Sequence, residues 1–513
     1  MSTQQLLNLL ITWLLLPFGA AFVSALLPRL ARGLALLCAA TTLLVAGWAW
    51  RGGSLQLDLI GPLGVQLQVD ALAAPFLLLN GLVVLAVLLD RWRRLPEGPF
   101  LVLLPVLLGG LNSAFLAVDL VSLYVALEVV GITAFLLILQ KRDDLQLWTA
   151  LRYLLIGNSV MTLYLVGVAL LYLNTGSFRL SAMAALPAGD PALAVILALV
   201  LVGLLTKAGV FLSGLWLPRT HAEAPAEVSA LLSGVVVAGG LCPLLRLEAQ
   251  LPGLQPVLAW VGLASAVLGL LYALLETDLK RLLAWSTLSQ LGLVLLNPAV
   301  GGFYALAHGL AKASLFLVAG HVPSRRLEGW ARQPLPPGLA VPLLLASLSI
   351  AGAPLLLGFW SKQALFSPPL TGFPGIAASQ ASWVLPLLGV GTAAVYARLC
   401  WLPLQGGRDV PAIGAVLLAA LLLLAGVVPL WAPEAQGLPG LGKALALLAA
   451  GAGVEALRQL VGARLLRGLR LPDLEQLGDL FGGMAVMGAG LVWLLLGWPD
   501  PLGMESGVVA WRG

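Results

Sequence analysis

LVLVGLLTKAGVFLSGLWLPRTHAEAPAEVSALLSG, residues 199–234, decides how this chain folds. Its first half is apolar enough to cross a membrane, yet Lys207 stands in the middle of it. A charged amine at that depth costs roughly 2.5–3.5 kcal/mol on insertion scales, so an ionisable group inside a span is a functional hypothesis by default. Gly209, Gly214 and Pro218 follow closely and loosen the helix just past the charge. Interrupted backbone at membrane depth is tolerated only where protein or a water-filled cavity surrounds it. A lysine beside a broken helix in a bilayer reads as part of an ion path.

The rest of the composition agrees. The 513 residues are 60% hydrophobic and only 10% charged, with a mean hydropathy of +1.00, whereas soluble domains carry about 25% charge. So few polar residues cannot hide that apolar surface from water, so lipid is the solvent. Alternating barrel strands are absent and long apolar runs recur, which predicts an all-α polytopic membrane protein. The net charge of +5 needs no nucleic acid, because arginines and lysines at membrane edges give the same excess. Cys38, Cys242 and Cys400 lie far apart in apolar surroundings and read as packing residues. No metal, haem, iron–sulfur site or other cofactor is expected. The first residues, MSTQQLLNLLITWLLLPFGA, lack a basic leader and a small-residue cleavage site, and read as a retained first span.

Runs of spanning length occur near 5–28, 33–50, 71–89, 99–118, 120–140, 150–173, 191–213, 228–247, 257–275, 282–297, 301–321, 339–359, 379–402 and 411–431. Further segments near 439–457 and 481–498 bring the expectation to about 14–16 transmembrane helices. Basic residues should then fall in alternate loops. One side collects Arg29, Arg32, Arg91, Arg93, Arg94, Lys141, Arg142, Arg219, Lys280, Arg281, Arg325, Arg326, Arg332, Arg398 and Arg408, against Arg51, Arg179 and Arg246 on the other. That asymmetry supports the register, short tenth span included. It places the N-terminus outside the cytoplasm. Arg458, Arg464, Arg467 and Arg470 fit an inner loop between spans fifteen and sixteen, or the polar face of a helix lying on the membrane; the loop is preferred.

Of six lysines, Lys141, Lys280 and Lys443 sit at span edges, where snorkelling accounts for them. Lys207, Lys312 and Lys362 sit within apolar segments or at their breaks, which snorkelling explains poorly. Glu128 is a carboxylate inside LVSLYVALEVVGITAFLLIL, and His308 stands one turn before Lys312 on the same helix face. Burial pushes a lysine pKa down and a glutamate pKa up, and an opposite charge reverses both. A lysine that alternately gains and loses a carboxylate partner therefore binds and releases a proton. The competing reading is a set of fixed ion pairs that lock helices together. Gly352, Pro354 and Gly358 precede Lys362 much as glycines and a proline follow Lys207. Two interrupted segments in corresponding places of two halves point to an inverted repeat with its site between the halves.

These segments resemble the antiporter-like subunits shared by respiratory complex I, its photosynthetic relatives and Mrp-type sodium/proton antiporters. DLVSLYVALEVVG places Glu128 at the family's fifth-span glutamate, and RYLLIGNS resembles the start of its sixth span. TKAG with LWLPRTHAEAPAEVSALLSG places Lys207 at the central lysine. ETDLKRLLAWSTLSQLG, HGLAKASLFL and GFWSK put Lys312 and Lys362 at the second half's relay positions. The likeness covers residues 65–405, and the seventh-to-eighth loop is most similar to the D-type subunits of Mrp antiporters and the M-type subunits of complex I. It implies two inverted five-helix repeats, an axis of buried Glu and Lys residues, and no redox centre. The expected divisions are N-terminal helices over 1–98, an antiporter-like core over 99–405 and C-terminal helices over 406–513.

Three departures stand out. Ala238 occupies the place of the family's eighth-span lysine, Leu212 and Gly214 replace its Pro-x-His, and WLPRTH carries Arg219 where the family has an acid, beside a retained His221. The leading expectation is a proton-translocating subunit in which Glu128 sets the charge of Lys207, and Lys312 with His308 passes protons toward Lys362. Its partners would be other membrane subunits, protons and Na+, and the lipid of a bacterial cytoplasmic or thylakoid membrane. The alternative, favoured by Ala238, is a non-conducting scaffold that docks an inorganic-carbon-hydrating or quinone-reducing module. A stand-alone oxidoreductase finds no support: there is no nucleotide fingerprint after a strand, no Cys cluster and no nucleophile–base pair. NADH dehydrogenase activity would belong to an assembly, not to this chain.

Overall fold

The computed structural model describes residues 3–497 apart from 60–63, 93–97, 141–142, 188, 323, 328–334, 367–377, 401–411, 432–439 and 466–470. Arg93, Arg94, Lys141, Arg142, Arg332, Arg408, Arg467 and Arg470, and the boundary expected at 405/406, lie outside the described residues.

The chain is an all-α membrane protein, and among the described residues every apolar run read from the sequence contains a helix, two of the runs being broken. In order these are α1 (Thr3–Leu26), α2 (Ala31–Trp50), α3 (Ala74–Arg91), α4 (Pro99–Leu116), α5 (Leu120–Ile138), α6 (Asp144–Thr175) and α7 (Pro191–Ala208). Then come α8 (Leu217–Glu223), α9 (Ala226–Leu231), α10 (Val237–Gln250), α11 (Gln255–Leu275), α12 (Leu279–Val294) and α13 (Gly301–Ala319). Last are α14 (Pro337–Ala351), α15 (Leu357–Leu365), α16 (Ala378–Cys400), α17 (Ile413–Val427), α18 (Leu441–Leu465) and α19 (Leu477–Gly497). Among the described residues, eleven helices are long and apolar enough to cross a membrane, and Ala74–Asp90, Pro337–Ala351 and Ile413–Val427 are shorter apolar helices. Carboxylates start several of them. The side chains of Asp119, Asp143, Asp190 and Asp278 accept from backbone N–H groups of the first turns of α5, α6, α7 and α12, satisfying donors that a helix leaves orphaned.

Charge sorts the turns onto two faces. On the basic face Arg325 pairs with Asp278 at 2.9 Å, Arg281 bridges Glu276 at 2.8 Å and Glu475 at 2.7 Å, and Arg398 donates to the Glu276 carbonyl at 2.7 Å. On the opposite face Arg246 is fixed to Asp70 at 2.6 Å and Arg179 approaches Asp58 at 3.9 Å. A two-stranded antiparallel hairpin, β1 (Leu55–Asp58) with β2 (Gln66–Val69), also lies on this opposite face, tied down by the Gln66 N–H donating to Asp119. The sequence did not announce that hairpin.

Five crossings make each half. The first holds α4, α5, α6, α7 with α8, and α9 with α10; the second holds α11, α12, α13, α14 with α15, and α16. Five is odd, so the second half runs inverted: α4 begins at the basic face and α11 at the opposite one. The expected short tenth span is α12, and all its residues except Arg281 are buried. A helix with no lipid contact has no need of full bilayer length. Residues 227–247 of the span over Ala226–Gln250 are likewise buried, and this span meets α13 at the seam between the halves. At the C-terminal end, α18 packs along α16, and α19 returns to α7 and α11. The link between them sits at the basic face, where Pro472 accepts from Tyr272 and Glu475 from Arg281. That is the side preferred from the sequence, although Arg458 itself lies on α18, paired with Glu455.

Candidate proton-handling site

The two broken spans close by one rule. At the end of α7 the Gly209 N–H donates to Thr206 O and the Val210 N–H to Leu205 O. At the end of α14 the Gly352 N–H donates to Ser349 O and the Ala353 N–H to Leu348 O. Gly209 (φ 71°) and Gly352 (φ 90°) are both left-handed, as this helix-terminating motif requires. Just beyond them Phe211 (φ 52°) and Leu355 (φ 67°) hold the same region without being glycine, which costs on the order of 1–3 kcal/mol each and persists only where packing enforces it. After the break α8 emerges toward the basic face and α15 toward the opposite face. That is the inversion expected of the repeat.

Lys207 occupies the last turn before the first break. Its ammonium lies 3.4 Å from Glu128 Oε1 on α5 and 3.4 Å from the Leu127 carbonyl. Glycines make the space for it. A Cβ at Gly131 would stand 2.9 Å from Lys207 Nζ, and one at Gly157 3.6 Å away. Gly240 of α10 lets that helix press directly on the α7 backbone at Leu204, Lys207 and Ala208. The pair expected from the sequence is therefore carried by α5 and α7, with α6 and α10 packed around it.

The second half handles its amines differently. Lys312 on α13 is fully buried and donates to the Leu283 carbonyl of α12 at 2.6 Å, with the Tyr396 ring 5.6 Å away. Among the described residues no carboxylate pairs with it. Lys362 on α15 donates back to the Ala351 carbonyl at 3.2 Å, capping the negative end of α14 across the break. His308, one turn before Lys312, is buried, and neither ring nitrogen has a hydrogen-bond partner among the described residues. A cavity of about 10 Å³ separates it from Lys362 and is also bounded by Tyr304 and Ser361. That is the volume at which a single water begins to fit.

Two residues carry more than the sequence reading gave them. Lys280 does not snorkel: it is 5% exposed and donates to the Ala224 carbonyl in the turn between α8 and α9. Its span-edge position hid this, because burial comes from a turn 56 residues away. His221, retained beside Arg219, is 0% exposed and stacked on Phe316 at 4.7 Å, with both nitrogens unpartnered among the described residues and within electrostatic reach of Lys280 and Lys312. Lys443 is exposed, as a span-edge lysine should be. Ala238 is buried at the seam. A hydroxyl pair crosses that seam nearby: Ser233, in a π-helical turn (Leu232–Val236), lies 2.8 Å from Thr287, whose hydroxyl donates to the Leu283 carbonyl that Lys312 also uses. Among the described residues no three His, Cys, Asp or Glu side chains cluster to hold a metal, and Cys38 and Cys242 are buried singly.

Inverted halves, two broken helices and a set of amines buried beside them define an antiporter-like membrane subunit. Residues 117–373 match the transmembrane family described as NADH:quinone oxidoreductase/Mrp antiporter, and the chain belongs to that family. It is similar to the N-type subunit of NADH-quinone oxidoreductase from Desulforudis audaxviator, 33% identical over 334 residues that make up 59% of this chain and 66% of the relative. It is also similar to the D-type subunit of the Na(+)/H(+) antiporter from Alkalihalophilus pseudofirmus, 30% identical over 336 residues, 59% of this chain and 67% of the relative. In the A/B-type K(+)/H(+) antiporter subunit of Rhizobium meliloti the match spans only 40% of the relative. Among solved structures, a chain of the Mrp complex from Dietzia sp. DQ12-45-1b superposes with TM-score 0.74 at 26% identity, covering 98% of this chain and 60% of that one. A chain of respiratory complex I from Thermus thermophilus gives 0.65 at 28% identity, covering 82% and 97%.

Proposed function

We propose that this chain is a proton-translocating membrane subunit of a multisubunit cation/proton antiporter or of a complex I-like quinone oxidoreductase. One observation carries the reading: Lys207 and Lys362 stand at two oppositely directed helix breaks with Lys312 buried on α13, and among the described residues only Lys207 of the three has a carboxylate partner, Glu128. An ammonium held by carbonyls alone gives up its proton more readily than one paired with an acid. Glu128 sets the charge of Lys207, Lys312 and His308 pass protons on, and Lys362 delivers them toward the face opposite the basic loops. Neighbouring membrane subunits supply the driving force, and the membrane is a bacterial cytoplasmic or a thylakoid one. Sodium is the proposed counter-ion where the assembly is of the Mrp kind.

The deciding experiment reconstitutes the assembly in vesicles and follows proton flux with a pH-sensitive dye. Lys362→Ala and Lys207→Ala should abolish coupled flux while the mutated chain still inserts and assembles. Normal flux in both would leave only the scaffold reading, which Ala238 alone favours.

A further inference from the structure

A cavity of about 790 Å³ lies at the basic face, away from the buried amines. Its walls are the last turn of α1 at Ser24, the start of α4 at Phe100 and Val102, and the end of α5 at Leu136 and Gln140. The volume falls within the roughly 300–1,000 Å³ of small-molecule sites.

Two polar atoms in this mostly apolar wall are left over. Ser24 is 1% exposed, yet its hydroxyl has no hydrogen-bond partner among the described residues, and neither has the buried amide nitrogen of Gln140. Helical hydroxyls in this chain ordinarily return to the carbonyl four residues back, as those of Thr12, Thr41 and Ser113 do. Ser24 does not. Beside it α4 starts at Gly98, which has no side chain to cap the helix and open space where a Cβ would stand. The first N–H groups of α4 and the positive end of its dipole therefore favour an anion here.

Charge and exposure select the occupant. Arg29 and Arg32 follow directly on Pro28 and Ala31 of the wall, and the Arg32 guanidinium lies 5.9 Å from the Trp92 ring centroid. Among the described residues no carboxylate lines the cavity. Leu136 of the wall is 42% exposed, and Phe22 and Leu26 on either side of Ser24 are 67% and 65% exposed. Surfaces that apolar face hydrocarbon, so the occupant enters from the bilayer and not from water.

We propose that this cleft binds an anionic phospholipid of the leaflet on the basic face. Its phosphate accepts from the Ser24 hydroxyl, the Gln140 amide and the start of α4, with Arg29 and Arg32 beside it, and one acyl chain fills the apolar remainder. Basic residues at a membrane surface attract anionic headgroups in this way. The site goes beyond the proton-translocation reading and does not depend on it.

The test reconstitutes the whole assembly in phosphatidylcholine vesicles containing a trace of phosphatidylglycerol with a diazirine in one acyl chain. After illumination, peptide mapping should place cross-links at Phe100–Leu103 and Leu136–Leu139. A phosphatidylcholine probe at the same level should label these segments at least ~10-fold less. Arg29→Gln with Arg32→Gln should bring the phosphatidylglycerol signal down to that lower level. Val102→Trp, which fills the cleft, should abolish the signal, whereas Leu44→Trp on the exposed face of α2 should not; should the filled variant fail to assemble, the arginine pair decides. Equal labelling by the two probes, or labelling that survives loss of both arginines, overturns the anionic lipid. Displacement of the label by inorganic phosphate would make the cleft a site for the free anion, and absence of cross-links from both segments would leave no site at all. Every readout is binding, so a failure of proton flux leaves the outcome distinct.

Discussion

Lys207 faces the Glu128 carboxylate at 3.4 Å, longer than the 2.7–2.9 Å of a tight charge-assisted hydrogen bond. The pair is close enough to couple and loose enough to part. Glu128→Gln keeps the shape and removes the charge, so Lys207 loses its only carboxylate in the described structure. Proton flux should fall at least ~10-fold, and Lys207→Arg should fail as well, because a guanidinium does not release its proton in proteins. Dye-monitored flux in vesicles reads both. A Glu128→Gln variant that pumps normally would make the pair a mere helix lock.

The glycines around the ammonium give a graded test. Gly131→Ala places a methyl 2.9 Å from Lys207 Nζ, and Gly157→Ala places one at 3.6 Å, an ordinary contact. The ammonium is the far end of a flexible chain, so it yields, and stability should change by less than about 1 kcal/mol in either variant. Yielding nonetheless moves the charge relative to Glu128. Flux should therefore drop clearly in Gly131→Ala and little in Gly157→Ala, with melting temperatures alike. Equal flux in the two would show that the position of the ammonium is not limiting.

A hydroxyl link crosses the seam between the halves. Ser233 meets Thr287, and Thr287 shares the Leu283 carbonyl with Lys312. Thr287→Val keeps the branched shape and deletes the hydroxyl, at a stability cost of about 1 kcal/mol for the lost hydrogen bonds. If protons or conformational change pass between the halves here, flux driven by the rest of the assembly should fall, and Ser233→Ala should reproduce the loss. Unaltered flux in both variants would mean that the halves communicate elsewhere or work separately.

How much of this was legible in the chain follows from what is local. Span positions come from runs of apolar residues, and the breaks from Gly209 and Gly352, whose left-handed conformations need no distant partner. Glu128, Lys207, Lys312 and Lys362 were visible because a charge inside an apolar run needs no structure to look anomalous. Lys280 was misjudged, and His221 given no role, for the opposite reason: each sits where a charge is unremarkable and is buried by residues far along the chain. The Ser233–Thr287 link is equally hidden, since hydroxyls in apolar helices are common and only tertiary packing joins these two. The return of α18 and α19 was half legible. Their apolar runs showed, but Glu455 and Arg458 pair with each other on α18 and so blur the loop signal that arginines otherwise give.

The C-terminal return makes the last prediction. Arg281, at the start of α12, bridges Glu276 and Glu475, and the Glu475 side chain is only 2% exposed. Burial holds the Glu475 carboxyl above its ordinary range, with Arg281 pulling the other way. Arg281→Ala removes that pull and leaves a buried carboxylate without its cation. The folded-state pKa then rises further, so the protein loses stability as pH climbs through that value and keeps it below. A cost of about 1–3 kcal/mol is expected near pH 8, less than the full penalty for breaking a deeply buried pair because Arg281 is itself about a third exposed. The deficit should shrink toward pH 5, and Glu475→Gln in the same background should recover much of it at pH 8. Thermal unfolding of the purified protein at the two pH values measures this. A loss that is independent of pH and not rescued by Glu475→Gln would assign Arg281 to packing, not to anchoring the segment that leads into α19.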